Sequence, residues 1–405
     1  MPLSPPKYIL DVLARLEARG HSAYLVGGCV RDLLRGQRPN DWDVTTSAQP
    51  EDIMAVFPRT RPTGLQHGTV TVLTRGQSVE VTTYRADGEY HDHRRPDAVR
   101  FLPDVSGDLA RRDFTVNAMA LSRGGDLVDL FGGQTDLREK ILRCVGDPDT
   151  RFSEDALRML RAFRFSAQLG FGIEPATLAS IRENAALAQT LARERVAVEL
   201  EKTLLSPAPE TVADMLEAGL LAGLCDGAGA ARADFVCLQN TPKKRRERFG
   251  ALTALLLQKA MLADGAAFLS GLRLDSATIK AASRGAHLAQ SPPQDKTAWK
   301  RLLMENGEDA AVCCAAACDA LCGPGHSRTL IRVLKSGEPW RLSDLAVSGG
   351  ELAGLGLRGA AIGQTQRALL AHVVERPADN EKEILLSLAQ QPHNSNQIGA
   401  KPIGN

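Results

Sequence analysis

The sequence predicts an α+β protein in which a β-rich N-terminal part precedes a long helical part. Runs of β-branched residues at 44–46 and 69–72 favour strands, and such runs fade after about residue 150. Beyond that point Ala and Leu dominate. Apolar residues there recur at helical spacing over 153–169, 176–188, 192–205 and 208–223, and then on to the end. This change of period indicates a head with a sheet followed by helical domains.

The N-terminal elements follow from apolar spacing and turn residues. Residues 8–19 carry apolar side chains at helical spacing and stop at Gly20. Residues 24–26 predict a strand that ends in a glycine turn, and a short helix then runs to Gly36. Residues 44–46 predict a second strand, and Ser47 can cap a helix that begins near Pro50.

A β-hairpin is predicted over residues 69–84. Its strands are 69–73 and 79–84, and the segment 75–78 contains the turn. The polar stretch that follows, 85–107, is expected to be a mobile loop.

Composition limits the classes of function. The chain has 405 residues with 49 basic and 48 acidic side chains, so the net charge is +1 and any phosphate-binding surface must come from local segregation of charge. The eight cysteines suggest no disulfide framework. No apolar run reaches the roughly 18 residues of a spanning helix, and the N-terminus lacks a signal-peptide pattern. We therefore expect a cytoplasmic protein with no membrane contact and no evident protein partner.

Two acidic residues stand at the start of a β-rich run, in Asp41-Trp42-Asp43. Residues i and i+2 of a strand project to one side, so both carboxylates would face one point, as suits Mg²⁺ bound together with substrate phosphates. A solvated turn is the alternative. Glu80, on the second hairpin strand, is the candidate for a third acidic residue, with an ordinary exposed glutamate as the alternative.

A glycine turn lies in the segment 27–32, which ends nine residues before Asp41. Gly27 and Gly28 between a strand and a helix let backbone amides approach a phosphate, and Arg31 adds a charge that can clamp a triphosphate. A simple strand–turn–helix with a surface arginine is the alternative.

Together these segments, Gly27-Gly28-x-Val30-Arg31-Asp32 and Asp41-x-Asp43, resemble the first motif of the class II tRNA nucleotidyltransferase and bacterial poly(A) polymerase family. The resemblance implies a polymerase β-like nucleotidyltransferase head with a mixed β-sheet, followed by an all-α neck, body and tail. It implies that Gly27, Gly28, Arg31 and Asp32 bind the nucleotide. The domains are then a head at 1–145, a neck with a base-reading motif at 146–205, an RNA-binding body at 206–330 and a tRNA-binding tail at 331–405.

The segment 111–118 matches the second motif of that family. The resemblance implies that ribose and triphosphate contact the side chains of Arg111, Arg112, Asp113 and Asn117. Taken alone, this segment would be an exposed charged turn. The segment 129–133 is similar to the third motif, a hinge between head and neck, although a plain loop explains its glycines equally well.

Asp155 and Arg158 are expected at i and i+3 on one helix, where a simple salt bridge is the alternative. The resemblance implies that this pair reads the incoming base. Cytosine and adenine each present an amino donor beside a ring-nitrogen acceptor, which a carboxylate and a guanidinium complement. Arg161 and Arg164 would hold phosphate or stack beneath the base. The segment 193–202 resembles the neck helix whose charges support the pair.

The resulting hypothesis is Mg²⁺-dependent, template-independent addition of C, C and A to the 3′ end of tRNA from CTP and ATP. Residues 66–70 resemble the CCA-adding branch, and 390–405 carry only Lys401 as a positive charge, unlike the basic tail frequent in poly(A) polymerases. The basic run 243–246 is a candidate tRNA surface. The alternatives are a poly(A) polymerase, a partial CC- or A-adding enzyme, and a tRNA-binding protein without catalysis.

Overall fold

The computed structural model describes residues 4–87 and 99–390. The strands, in chain order, are β1 (Ala23–Val26), β2 (Asp43–Thr46), β3 (Thr60–Gly64), β4 (Thr69–Thr74), β5 (Gln77–Thr83), β6 (Arg85–Asp87), β7 (Val99–Phe101), β8 (Ala120–Leu121), β9 (Leu127–Val128), β10 (Ile141–Leu142) and β11 (Gly172–Ile173).

Seven of these strands form one sheet with the order β3-β4-β5-β2-β1-β8-β9. The pair β2–β5 is parallel and the other neighbours are antiparallel. The predicted mixed sheet is thus confirmed. The predicted hairpin is β4–β5, closed by Arg75 and Gly76 at φ 47° and 75°, the conformation that two-residue hairpin turns require.

Helices make up most of the remainder, which confirms the predicted α+β class. They are α1 (Lys7–Glu17), α2 (Gly28–Leu34), α3 (Pro50–Val56), α4 (Val105–Ala110), α5 (Gly133–Glu139), α6 (Pro148–Glu154), α7 (Leu157–Leu169), α8 (Pro175–Glu183), α9 (Arg193–Leu204), α10 (Val212–Glu217), α11 (Arg232–Phe235), α12 (Arg245–Gln258), α13 (Gly265–Gly271), α14 (Ser276–Leu288), α15 (Lys296–Leu321), α16 (His326–Lys335), α17 (Gly349–Gly354), α18 (Ala360–Glu375) and α19 (Lys382–Gln390).

On strands β2 and β5 one face of the large sheet is buried in the apolar core and the other carries polar residues. On β5, Val79 and Val81 are buried in the core that also holds Leu13 of α1, whereas Glu80 between them is exposed. Because strand side chains alternate, this pattern assigns Val79 and Val81 to one face and Glu80 to the other. The apolar face therefore fixes which carboxylates the opposite face presents.

The chain divides into two compact units, one of residues 1–239 with 271–274 and the other of 240–270 with 275–405. In the second unit, α15 is interrupted at Gly307 (φ 78°, ψ 172°). Its buried residues Trp299, Cys314 and Cys318 form a core with Leu330 of α16. The finer four-part division into head, neck, body and tail stays a prediction.

The prediction of a loop over 85–107 is wrong at its two ends. β6 and β7 pair antiparallel, with Arg85 opposite Phe101, and α4 begins at Val105. Val99 and Phe101 are a β-branched and an aromatic residue, which favour a strand despite the polar residues around them. His91, His93, Arg94 and Arg95 lie outside the described residues, as does the segment 391–405.

Within residues 4–87 and 99–390, every helix is too short or too polar to cross a membrane.

Candidate active site

Two acidic side chains, Asp43 and Glu80, lie side by side on the polar face of the sheet, and Asp41 is near them. Asp43 opens β2 and is the direct neighbour of Glu80 in the parallel pair β2–β5. Burial raises the pKa of the Asp43 carboxyl to about 6, with repulsion from Glu80 and a smaller one from Asp41, against the attraction of Arg112. Across the described chain none of the three carboxylates forms an ion pair with a cationic side chain. Such uncompensated carboxylates fit a divalent cation.

Asp41 lies outside the strand, contrary to the prediction. β2 begins at Asp43, and Asp41 is an exposed residue in the bend before it, so strand alternation does not fix its direction. In the described residues, no three His, Cys, Asp or Glu side chains converge into a metal site of their own. Of the three carboxylates, Asp43 and Glu80 are the two that the sheet register places side by side.

The glycine turn is where a guanidinium passes close to the backbone. Gly27 has φ 78°, and a Cβ there would lie 2.9 Å from Nη1 of Arg112. Both the dihedral angle and this close approach exclude a larger residue. Gly28 follows as the first residue of α2, so the turn brings that helix against the segment 111–117.

Arg31 is buried and joins the first two motifs. Its Nε donates to Asp32 Oδ1 at 2.9 Å, and its Nη1 donates to Asn117 Oδ1 at 2.6 Å. Asn117 Nδ2 in turn donates to Asp113 Oδ1 at 3.2 Å. These bonds restrict the orientation of the guanidinium and favour its contact with an anionic group.

Asp113 continues this network towards α7. Arg161 donates to its Oδ2 from Nε at 2.8 Å and contacts it from Nη2 at 2.6 Å. Burial opposes the charged form of Asp113, but Arg161, Asn117 and the amide of Phe114 outweigh it and lower the pKa of Asp113 to about 2. The carboxylate is thus ionised at any physiological pH and acts as an acceptor only.

Asp108 is a site residue that the sequence analysis missed. It is completely buried, and it binds Arg111 at 2.7 Å and Arg112 at 3.1 Å. Its Oδ2 also accepts a bond of 3.2 Å from Thr45 of β2. The sequence did contain a signal for these contacts, because residues 108, 111 and 112 have the i, i+3, i+4 spacing of neighbours on a helical turn.

The prediction that Asp155 and Arg158 share one helix is wrong. Asp155 ends α6 with φ −140° and ψ 100°, and α7 begins at Leu157. The Asp155 carboxylate accepts from the Leu157 amide at 3.1 Å, a local bond that competes with the continuous helix.

The simple i,i+3 salt bridge is also absent between these two described side chains. Arg158 binds Glu154 at 2.7 Å, and its Nη2 donates to the carbonyl of Arg111 at 3.0 Å. Asp155 instead binds Arg195 of α9 at 3.0 Å. The two side chains are therefore positioned by separate partners.

The helix α9 supports α7 at a second point. Arg164 is buried and donates from Nε to Glu199 and from Nη1 to Gln168 at 2.9 Å. Arg164 thus serves as a tie between α7 and α9, in contrast to the more exposed Arg161.

These side chains line an open polar cavity of about 270 Å³ in the first unit. It is lined by Arg111, Arg112, Asp113, Asp155, Leu157, Arg158, Arg161 and Arg195. Two of its buried donor atoms, Nε of Arg112 and Nη1 of Arg195, lack a hydrogen-bond partner in the described structure. Because buried donors are rarely left unpaired, this cavity suits a polar, anionic ligand.

Comparisons with family profiles and with known proteins agree on one family. Residues 23–143 match the family profile described as the poly A polymerase head domain, and 170–228 match one described as the probable RNA and SrmB-binding site of polymerase A. A CCA-adding enzyme of Limosilactobacillus fermentum is 39% identical over 384 residues, which cover 93% of this chain and 95% of that protein. One from Lacticaseibacillus paracasei is 38% identical over 390 residues, 95% of this chain and 96% of its own length.

A solved structure agrees with these relatives. The crystal structure of the Bacillus stearothermophilus CCA-adding enzyme in complex with CTP superimposes with a TM-score of 0.81 at 32% identity. The match covers 95% of this chain and 97% of that one. The chain therefore belongs to the family of CCA-adding enzymes, nucleotidyltransferases built on a polymerase-type head.

Proposed function

We propose that this protein adds C, C and A to the 3′ end of tRNA, using CTP and ATP and releasing pyrophosphate. The observation that carries the proposal is the uncompensated carboxylate cluster beside an arginine-lined cavity. Arg112 connects the two. Its positive charge attracts Asp43 and opposes the rise in the pKa of that carboxyl, and its side chain also lines the cavity. The matched relatives named as CCA-adding enzymes support this substrate and product.

The reaction is a transfer to the terminal hydroxyl of the RNA. The 3′ oxygen bonds to the α-phosphorus, and the bond between that phosphorus and the bridging oxygen to the β-phosphate breaks. Asp41 and Asp43 would hold Mg²⁺, which when bound activates the hydroxyl and stabilises the leaving pyrophosphate. Glu80 adds a third negative charge next to Asp43.

Two arginines are proposed to bind the triphosphate. Arg31 is buried and oriented by Asp32 and Asn117, and Arg112 is fixed by Asp108. Preorganised cations of this kind stabilise charge on the departing pyrophosphate without having to reorient during the reaction.

Selection of the base is assigned to Asp155 and Arg158. Cytosine and adenine offer a donor to the carboxylate and an acceptor to the guanidinium, whereas uracil and guanine reverse that polarity. A mismatched base would leave buried polar groups unpaired, which costs roughly 1–3 kcal/mol for each group. Arg195 and Glu154 hold the two reading side chains in place.

For the RNA, the outer face of α16 is a better candidate than the run 243–246. In that run Arg245 pairs with Asp275 at 2.8 Å and Arg246 with Asp309 at 3.0 Å, so much of its charge is neutralised. The segment 320–337, by contrast, contains no acidic residue.

Three cations lie one helical turn apart on α16. Arg328, Arg332 and Lys335 have the spacing i, i+4, i+7, are exposed, and form no ion pair among the described residues. Unpaired cations in a row match the phosphate backbone of RNA. Partners of this kind also favour a cytoplasmic location.

The proposal is tested with purified protein and Mg²⁺ on three tRNAs that end before CCA, after C and after CC. Each receives CTP, ATP or both, and products are resolved at single-nucleotide length. Growth that stops at CCA on all three supports the proposal. Unlimited addition of A identifies a poly(A) polymerase, and arrest at CC or activity only on CC ends identifies a partial enzyme. Binding of tRNA without any extension would leave a tRNA-binding protein without catalysis.

A further inference from the structure

One aromatic ring lies at the centre of the arginine cluster. Phe165 of α7 is 8% exposed, and the guanidinium carbon of Arg164 lies 3.6 Å from its ring centroid. The guanidinium carbons of Arg161 and Arg31 lie at 5.2 Å and 5.5 Å from the same centroid. All three are within the roughly 6 Å at which a cation is attracted to the face of an aromatic ring.

A fourth segment reaches this ring. Phe114 packs against it edge to face, with centroids 5.9 Å apart and planes at 82°. Phe114 follows Asp113 directly, and its amide donates to the Asp113 carboxylate at 2.9 Å. The glycine-turn helix α2, the segment 111–117 and the helix α7 thus meet at one side chain.

The three guanidiniums repel each other, and each is balanced by its own carboxylate. Arg31 pairs with Asp32, Arg161 with Asp113, and Arg164 with Glu199. Each carboxylate pairs with one of these cations, whereas the ring is the group that all three share. An aliphatic side chain of similar volume fills the space but lacks the negative ring face.

We infer that Phe165 is a positioning residue: its ring holds Arg31 in the orientation that binds the triphosphate and couples it to α7, which carries the base-reading Arg158. This inference rests on the proposed function. Because the triphosphate is common to both substrates, loss of the ring weakens the binding of CTP and of ATP to the same extent. The choice between bases depends on other side chains and stays unchanged.

Phe163 provides a matched control on the same helix. Its side chain is 3% exposed, and it lines a separate cavity of about 460 Å³ in the first unit. Its ring has no cation partner among the described residues. Phe163→Leu therefore removes an equal amount of buried aromatic surface without touching the arginines.

The experiment measures the dissociation constants of CTP and ATP without RNA for the wild type, Phe165→Leu, Phe165→Tyr and Phe163→Leu. Phe165→Leu is expected to weaken both nucleotides about tenfold. Phe165→Tyr, which keeps the ring, should stay within about threefold of the wild type, and Phe163→Leu should bind normally. In the addition assay KM should rise for Phe165→Leu and kcat should fall as well, because Arg31 also stabilises charge on the departing pyrophosphate.

Two results overturn the inference. One is nucleotide binding by Phe165→Leu that is no weaker than that of Phe163→Leu, and the other is equal weakening by Phe165→Leu and Phe165→Tyr. If Phe165→Leu does not fold, Phe165→Met makes the same comparison. A wild type that binds CTP but adds nothing to tRNA would refute the proposed function, while the binding comparison still decides the role of Phe165.

Discussion

At the scale of single residues, the carboxylate cluster destabilises the folded protein when no cation is bound. The pKa of Asp43 is raised from its ordinary value of 3.8 to about 6, chiefly by burial and then by Glu80. Between these two pH values the folded protein binds more protons than the unfolded chain. The free energy of unfolding therefore falls as the pH rises through that window.

Asp43→Asn is accordingly expected to stabilise the metal-free protein while abolishing nucleotide addition. At pH 8 in EDTA the variant should gain about 1–2 kcal/mol over the wild type, a value reduced from the full shift because the side chain is partly solvated. Near pH 4 the gain should vanish. Urea unfolding at the two pH values measures it. Mg²⁺ should raise the stability of the wild type but not of the variant, and equal stabilisation of both would contradict the metal assignment.

Asp108 illustrates the opposite case, a buried carboxylate that its arginines keep ionised. Burial disfavours its charge, but Arg112 and Arg111 lower its pKa. Its contribution to stability is therefore present above the ordinary pKa of an aspartate and is lost as the pH falls through the lower folded value.

Asp108→Asn should destabilise the protein by about 3 kcal/mol at pH 7, because two guanidiniums lose their shared carboxylate. The nucleotide dissociation constants should rise for CTP and ATP alike, since Arg112 is no longer fixed. Denaturant unfolding and equilibrium binding measure the two effects. Asp126→Asn, at an exposed carboxylate that only caps a local turn through Ser122, is the control and should change neither. Unaltered nucleotide binding by Asp108→Asn would show that Arg112 needs no such support.

At the scale of elements, the junction between α6 and α7 depends on α9. Asp155 is in the break between the first two helices, and Arg195 of α9 binds its Oδ2 at 3.0 Å. A side chain on an irregular segment has more freedom than one on a helix, so its direction depends on this partner. The fidelity of base selection should therefore be sensitive to a residue that lies on a different helix.

Arg195→Met is expected to lower the discrimination between CTP and UTP about tenfold, with a smaller loss in the rate of correct addition. The ratio of kcat/KM for the two nucleotides on a tRNA lacking CCA is the measurement. Arg193→Met, two residues earlier on the same helix and without a bond to Asp155, is the matched control. If both variants discriminate as well as the wild type, Asp155 does not depend on α9.

At the scale of the whole molecule, the net charge is only +1, but unpaired positive charges are concentrated locally. In the second unit many cations are already paired, such as Arg301 with Glu375 at 2.5 Å and Arg341 with Glu308 at 2.7 Å. The three cations on α16 are exceptions, and between them Ile331 is 50% exposed. The apolar side of α16 is not available to another surface, because Leu330 and Val333 are buried in the core of this unit.

Replacing Arg328, Arg332 and Lys335 with Gln should weaken tRNA binding and flatten its salt dependence. Each lost phosphate contact lowers the slope of log Kd against log salt by about 0.7–0.9, so a decrease of about 2–3 is expected. The control replaces Lys296, Arg301 and Arg341, which are also exposed but paired, and its slope should stay close to that of the wild type. Equal flattening in both would mean that only the total charge matters. Binding of anionic vesicles, lost in the triple variant, would instead point to a membrane surface.

The sequence by itself determined the fold class, the hairpin β4–β5 and the segments that form the site, because these depend on local periodicity and short spacings. It could not determine contacts between distant segments: Asp43 beside Glu80, Arg195 against Asp155, or Phe165 beside Arg31. It also misplaced Asp155, since a helical pattern continues through 153–161 while the backbone bends to satisfy one carboxylate. Sheet register and the packing of α7 on α9 decide those positions. Both arise because apolar faces that are far apart in the chain are buried against each other. The spacing of residues within one segment does not show which distant face it packs against.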